Sequence, residues 1–167
     1  MLFKVGDRVV HPQHGVGSVA KLEIKEFVAG TTRPYYEVEL PQTTLWVPLG
    51  LPTSGLRKLA LKSEINHCRG LLKAPALPLS EDPRVRQAEL TEHLKLGTLK
   101  SQCEVVRDLT ASSWTKQLGW GLSDFLKIIR DVLCQEWAVV EEIPLWQATQ
   151  EIGALLEQGR QKNSSID

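Results

Sequence analysis

The chain has 167 residues, enough for one domain or two small ones with a buried core. Its 20 basic and 20 acidic side chains give a formal net charge of zero, which argues against a protein that coats nucleic acid by charge alone. The charges are unevenly distributed. Residues 1–69 carry nine basic and six acidic side chains, whereas residues 70–167 carry eleven and fourteen, so we expect a mildly acidic second half.

Cysteine spacing argues against a metal centre. Cys68, Cys103 and Cys134 form no Cys-x-x-Cys pair and no Cys/His cluster, so we expect no zinc site. Three thiols without a disulfide framework are typical of a reduced cytoplasm. Since no signal peptide or long apolar run is present, we predict a soluble cytoplasmic protein that binds no membrane, metal or cofactor.

The first sixty residues contain closely spaced strand signals. Short β-branched runs at 9–10 and 16–19 are bounded by turn residues, which include Gly6 and Pro12. Glycines at positions 15 and 17 suit a tight, bent strand where a side chain would collide. Three further strands are predicted from alternating or short apolar runs at 20–27, 35–40 and 44–48. Such a series predicts a small, strongly curved antiparallel barrel.

This opening resembles the CarD family of bacterial RNA polymerase regulators, whose N-terminal domain is shared with the transcription-repair coupling factor. The residues that match the family pattern are Gly6, Asp7, Val9, Val10, Pro12, His14, Gly15, Val16, Gly17 and Val19. The resemblance implies an SH3/Tudor-like β-barrel over residues 1–60 that docks on the polymerase β subunit. An unrelated SH3-like barrel with similar turns is the alternative.

Helical periodicity begins at Ser63. We predict a connecting helix and a Pro-containing linker over 61–79, followed by an all-α domain over 80–167, so the fold class is α+β. The predicted helical segments are 63–72, 80–96, one capped by Thr98 and running through Leu109, a long helix capped by Ser123, and one after Pro144. Residues 110–122 are predicted to form a loop, and the polar tail from Gly159 is predicted to fray.

The helical half carries further family landmarks. Residues 104–109 resemble the E-V-V-R-D-L run of CarD proteins, and residues 121–123 resemble their G-L-S helix start. The resemblance implies that this domain reaches upstream promoter DNA, where a family tryptophan wedges into the minor groove. The equivalent position here is Asp82 or Pro83, and neither can act as such a wedge.

Seven residues are candidate contacts for polymerase or DNA. An exposed strand edge and nearby residues would bind polymerase, with Trp46 outside the core if Leu45 and Val47 lie inside it. Basic side chains in the helical half would contact DNA phosphates, although an ordinary solvated face is the alternative. The polymerase candidates are Lys25, Trp46, Val47 and Pro48, and the DNA candidates are Arg84, Arg86 and Lys127.

The remaining tryptophans have simpler explanations. Trp114 and Trp120 could replace the missing wedge, but a loop tryptophan folded over the helical core is the commoner arrangement. Trp137 and Trp146 are predicted to pack in the core or between domains. The four histidines are scattered, and no nucleophile motif or phosphate loop is present, so we predict no enzyme activity.

Together these features predict a monomeric CarD-like transcription regulator. It would bind RNA polymerase through its barrel and change the stability of the open promoter complex through its helical domain. One alternative keeps the polymerase tether but uses the helical domain to bind a protein partner. Another is a barrel-plus-helix interaction module unrelated to transcription. If Arg84, Arg86 and Lys127 are interspersed with acidic side chains, the protein partner is favoured over DNA.

Overall fold

The chain divides into two compact units, residues 1–59 and residues 60–167. The structure, a computed structural model, describes residues 3–50 and 55–164. The described part of the first unit contains five antiparallel strands, and that of the second contains five helices. The predicted α+β class, with β structure first and helices after it, is confirmed.

The N-terminal unit is a single antiparallel sheet with the strand order β4-β3-β2-β1-β5. Its strands are β1 (Arg8–His11), β2 (Gly15–Val28), β3 (Thr31–Glu39), β4 (Thr44–Pro48) and β5 (Arg57–Lys58). The two strands predicted at 16–19 and 20–27 are one continuous strand, β2. The pairing of β2 with β3 shifts register between Val19 and Lys21. This is the point at which the first predicted strand ends and the second begins.

One face of this sheet covers the N-terminal core. The core residues are Phe3, Val9, Val19, Tyr36, Val38, Val47 and Leu56, with Leu45 and Leu49 packed against them. Gly17 allows β2 to lie close to the end of β3. A Cβ at this position would lie 2.6 Å from the carbonyl oxygen of Glu39, so the close approach predicted for this glycine is confirmed.

The C-terminal unit contains helices α1 (Lys62–Lys73), α2 (Pro83–Lys95), α3 (Leu99–Thr115), α4 (Trp120–Glu141) and α5 (Leu145–Ser164). Helix α1 packs against α3 and α5, so it is part of the helical unit and not only a connection to it. Two predicted helix ends are confirmed. Thr98 caps α3 by accepting a 3.1 Å hydrogen bond from Ser101 N–H, and Gly97 adopts a positive φ after α2.

The loop predicted over 110–122 is wrong. Helix α3 continues to Thr115 and α4 begins at Trp120, so the connection is only residues 116–119. Small polar residues with weak helix propensity extend α3 because Thr110 is buried and Trp114 is half-buried beneath the Arg160 guanidinium. Ser123 is not the cap of α4, since its N–H already bonds to the carbonyl of Gly119.

The tail predicted to fray from Gly159 is helical to Ser164. Gly159 lies so close to the C-terminal end of α1 that a Cβ there would be 3.1 Å from the Lys73 carbonyl oxygen. This contact holds the last turns of α5 against α1. Trp137 is fully buried, as predicted, whereas Trp146 is 63% exposed and is not a core residue.

Candidate functional site

Strand β4 is an edge of the N-terminal sheet. Among the described residues it pairs only with β3, so the backbone groups on its other side have no strand partner there. Tyr36 lies opposite Val47 in the register, and both side chains point into the core. The alternation along β4 therefore turns Trp46 to the opposite face, as its neighbours in sequence predicted.

Three aromatic rings meet on that opposite face, and we call Phe27, Tyr35 and Trp46 the aromatic face. The Phe27 ring lies edge-on to Tyr35, with 4.9 Å between centroids, and is 6.2 Å from Trp46. Phe27 remains 57% exposed. Phe27 is two residues after Lys25 on β2, so strand alternation places both side chains on this face. A register shift between Lys25 and Val28 places two residues of β2 opposite one of β3.

Lys25 is held over the aromatic face. Its Nζ lies 4.7 Å from the centroid of Trp46 and 3.0 Å from Oε2 of Glu23. The hydrogen bond from Lys25 is the main reason that the pKa of the exposed Glu23 is lowered. The ammonium and the indole thus form one amphipathic surface next to an open strand edge.

The other two polymerase candidates differ from Lys25 and Trp46. Val47 is only 5% exposed and belongs to the core, so its side chain is not available on the surface. Pro48 is half-buried at the end of β4, opposite Tyr35 in the register. The structure therefore brings Lys25, Trp46 and Pro48 to one face and separates Val47 from them.

At the predicted DNA-contacting end of the helical unit, Asp82 caps helix α2. Its Oδ1 accepts hydrogen bonds from the backbone N–H groups of Arg84, at 2.8 Å, and Val85. Pro83 follows as the first helical residue, where its missing N–H is no loss. Residues 82 and 83 thus form a helix start, and neither contributes an aromatic side chain.

The basic candidates of α2 do not form one cationic surface. Arg84 and Arg86 are two residues apart on a helix, so their side chains point in different directions. Arg84 lines a shallow open groove whose other residues are Pro83, Gln87, Ala88, Thr91 and Glu92. The groove therefore carries a carboxylate as well as a guanidinium, and it offers no excess of positive charge to a phosphate backbone.

Lys127, the third basic candidate, lies on the exposed side of α4 with Asp124 one turn before it. Trp120, at the start of the same helix, is 87% exposed and does not fold over the helical core. Its exposure could not have been predicted from the loop expected at 110–122, because the side chain's direction is set by the helix.

The sequence analysis missed the role of the E-V-V-R-D-L run. Arg107 and Asp108 are buried, and Arg107 Nε donates a 2.9 Å hydrogen bond to Asp108 Oδ1. Arg107 Nη1 also donates to the carbonyl of Leu71, at the end of α1, and Asp108 accepts from Leu77 N–H in the following segment. The available signal for this structural clamp was the position of the two charged residues between Val106 and Leu109, which are both buried.

Among the described residues, no group of three or more histidine, cysteine, aspartate or glutamate side chains is placed to hold a metal ion. No helix in that part of the chain is both long enough and apolar enough to cross a bilayer.

Comparison with known proteins identifies the class. Residues 3–60 match the family described as CarD-like/TRCF RID domain, and residues 69–153 match the family described as CarD, C-terminal domain. A β unit of the first kind followed by a helical unit of the second defines a transcription regulator. The chain belongs to the CarD family.

A curated relative covers nearly the whole chain. It is named "Putative transcription factor YdeB", from Bacillus subtilis strain 168, and is 26% identical over 148 residues. The alignment spans 85% of this chain and 94% of that protein. The similarity thus extends over both units.

Proposed function

We propose that this chain binds the β subunit of RNA polymerase through the open edge of β4 and the adjacent aromatic face. An open strand edge can add a strand from a partner, and main-chain hydrogen bonds then supply affinity. The family to which the chain belongs supports polymerase as the partner. The protein would act by binding and not by catalysis.

The observation that carries this proposal is the position of Trp46. Trp46 is a residue of the edge strand β4, and its indole contacts Phe27 and Lys25. Tryptophan is enriched among interface residues that dominate binding energy, and a cation over its ring adds a charge to the same contact. An edge alone would give affinity, and the side chains beside it would give selectivity.

Binding to an isolated β-subunit fragment tests the proposal, with affinity measured by biolayer interferometry. We expect Trp46→Ala to weaken binding by about thirtyfold, the effect of losing a hot-spot side chain. Ile24→Ala is the matched control, because Ile24 is 74% exposed on the same hairpin but on the other face. Failure of the unmodified chain to bind would contradict docking of the β unit on this subunit.

At the promoter, we propose that the tethered chain changes the lifetime of the open complex. The exposed cation Arg84 would contact phosphates weakly, which positions the helical unit without reading sequence. Promoter opening followed by fluorescence, with and without the protein, tests this step. An unchanged open-complex lifetime at saturating protein would contradict it.

A second candidate function is recruitment of a protein partner by the helical unit. It is favoured by the acidic side chains beside the basic candidates: Glu92 shares a groove with Arg84, and Asp124 lies one turn from Lys127. In this case the β unit still binds polymerase. Charge reversal of Arg84 would then leave the salt dependence of promoter-complex formation unchanged.

A further inference from the structure

One exposed stripe of helix α4 has the charge pattern of a self-complementary surface. Trp120, Asp124, Lys127 and Asp131 follow one another at spacings of four, three and four residues, so they lie along one side of the helix. All four are exposed. None of the three charged members takes part in an ion pair with a described residue.

Trp120 is the member that most needs an explanation. It is 87% exposed, more than any other large apolar side chain in the described part of the chain. Gly119 and Gly121 flank it, and a Cβ at either position would meet no atom within 4 Å. Neither glycine has a positive φ. Both positions would therefore accept a side chain, and glycine weakens the start of the helix.

The charges on the stripe argue against nucleic acid as its occupant. Two carboxylates and one ammonium give the stripe a net negative charge, which repels a phosphate backbone. The same charges become complementary when a second α4 packs against the first in the antiparallel direction. The midpoint of Asp124 and Lys127 lies between residues 125 and 126, and so does the midpoint of Trp120 and Asp131.

We propose that the partner of this stripe is a second copy of the chain, paired α4 to α4 about a two-fold axis between Phe125 and Leu126. In this arrangement Asp124 of each copy faces Lys127 of the other, giving two ion pairs. Trp120 faces Asp131 of the other copy, and its indole N–H is a donor for which a carboxylate is a suitable acceptor. The interface is isologous, as two-fold symmetry requires.

The proposed interface is limited to one helix from each copy. A single helix pair buries less than the roughly 1,200 Å² typical of stable interfaces, so the association is weak. The monomer expected from the family resemblance is then the species that predominates at low protein concentration.

Sedimentation equilibrium of the full chain at low ionic strength, over roughly 10 µM to 1 mM, tests the proposal. We expect a reversible monomer–dimer equilibrium in the unmodified chain. Asp124→Lys and Lys127→Asp should each weaken dimerisation by about tenfold or more, because both ion pairs become like-charge contacts. Trp120→Ala should also weaken it. Glu89→Lys, an exposed charge reversal on α2, should leave dimerisation unchanged.

Mixing the two reversed variants is the decisive step. In an equimolar mixture of D124K and K127D, the lysine introduced in one copy meets the aspartate introduced in the other. The remaining pair joins the native Asp124 to the native Lys127. Affinity should therefore return to near the unmodified value in the mixture, and also in the doubly substituted chain D124K/K127D. The double variant keeps the net charge of the helix, so it provides a test if a single variant is poorly folded.

Three results would overturn the proposal. They are a chain that stays monomeric over the whole range, single reversed variants that dimerise as well as the unmodified chain, and a mixture no stronger than its components. The last two would place any association on another surface.

Discussion

The carboxylate oxygen Oδ1 of Asp108 accepts a 3.0 Å hydrogen bond from the backbone N–H of Leu77, across 31 positions of sequence. The same oxygen accepts from the guanidinium of Arg107, whose Nη1 donates to the carbonyl of Leu71. The two side chains therefore fix both ends of the segment that leads out of α1. This is how a charged pair inside a buried helix stabilises the path of the chain.

Replacing Asp108 tests this clamp. Asp108→Ala leaves the buried Arg107 without its carboxylate, and we expect a loss of about 3 kcal/mol in the free energy of unfolding of the helical unit. Thermal unfolding followed by circular dichroism in the helical amide band measures this loss. Asp108→Asn, which keeps an acceptor for Leu77 N–H, should lose less. Equal losses in the two variants would argue against this hydrogen bond.

A pair of glycines provides a second test of packing. Gly17→Ala places a methyl group 2.6 Å from the Glu39 carbonyl oxygen, so β2 and β3 must separate. We expect a loss of about 2–4 kcal/mol in the stability of the N-terminal unit, as for overpacking against backbone. Urea unfolding measures this loss, and the same measurement is made on a control variant.

The matched control is Gly70→Ala. Gly70 lies within α1 and an added Cβ there meets no atom within 4 Å, so alanine should stabilise the helix by about 0.5–1 kcal/mol. Opposite signs for the two alanine substitutions are expected. If Gly17→Ala were neutral, the close approach of β2 to the end of β3 would be incorrect.

The turn between β1 and β2 predicts a pH dependence. The rings of His11 and His14 lie 4.7 Å apart, and burial followed by repulsion from His14 lowers the pKa of His11 to about 4. Because the unfolded chain binds this proton at the ordinary pKa near 6.5, stability is fully present above that pH. It is lost as the pH falls from 6.5 towards 4, by about 1 kcal/mol after allowing for the half-exposed ring.

Nuclear magnetic resonance titration of the imidazole protons measures this pKa directly. In His14→Gln the repulsion is absent, so we expect the pKa of His11 to rise but to stay below 6.5, since burial is the larger cause. A His11 pKa of 6.5 or above in the unmodified chain would contradict the burial of this ring.

Much of the N-terminal unit could be predicted from the sequence, because its signals are local. Alternation along residues 44–48 placed Leu45 and Val47 inside and Trp46 outside, and the turn glycines divided the strands. The contact between Phe27 and Trp46 could not be predicted this way. It depends on the order in which β2, β3 and β4 pair in the sheet rather than on the pattern of β2 alone.

The helical unit was harder to predict, since its helix ends depend on distant contacts. Thr110 and Trp114 remain helical through packing, although their neighbours have weak helix propensity. Once α3 and α4 are extended in this way, Trp120 becomes a helix residue whose direction is fixed outward. Charged side chains such as Arg107 and Asp108 usually indicate a surface, whereas the structure buries them as a pair.

Hydrogen exchange of the full chain with and without the polymerase β subunit tests most directly whether β4 is the docking edge. We predict slower amide exchange over residues 44–48 on addition of the β subunit, with the helices α2 and α4 unchanged. Unaltered exchange over 44–48 at saturating β subunit, or protection confined to the helical unit, would contradict the account.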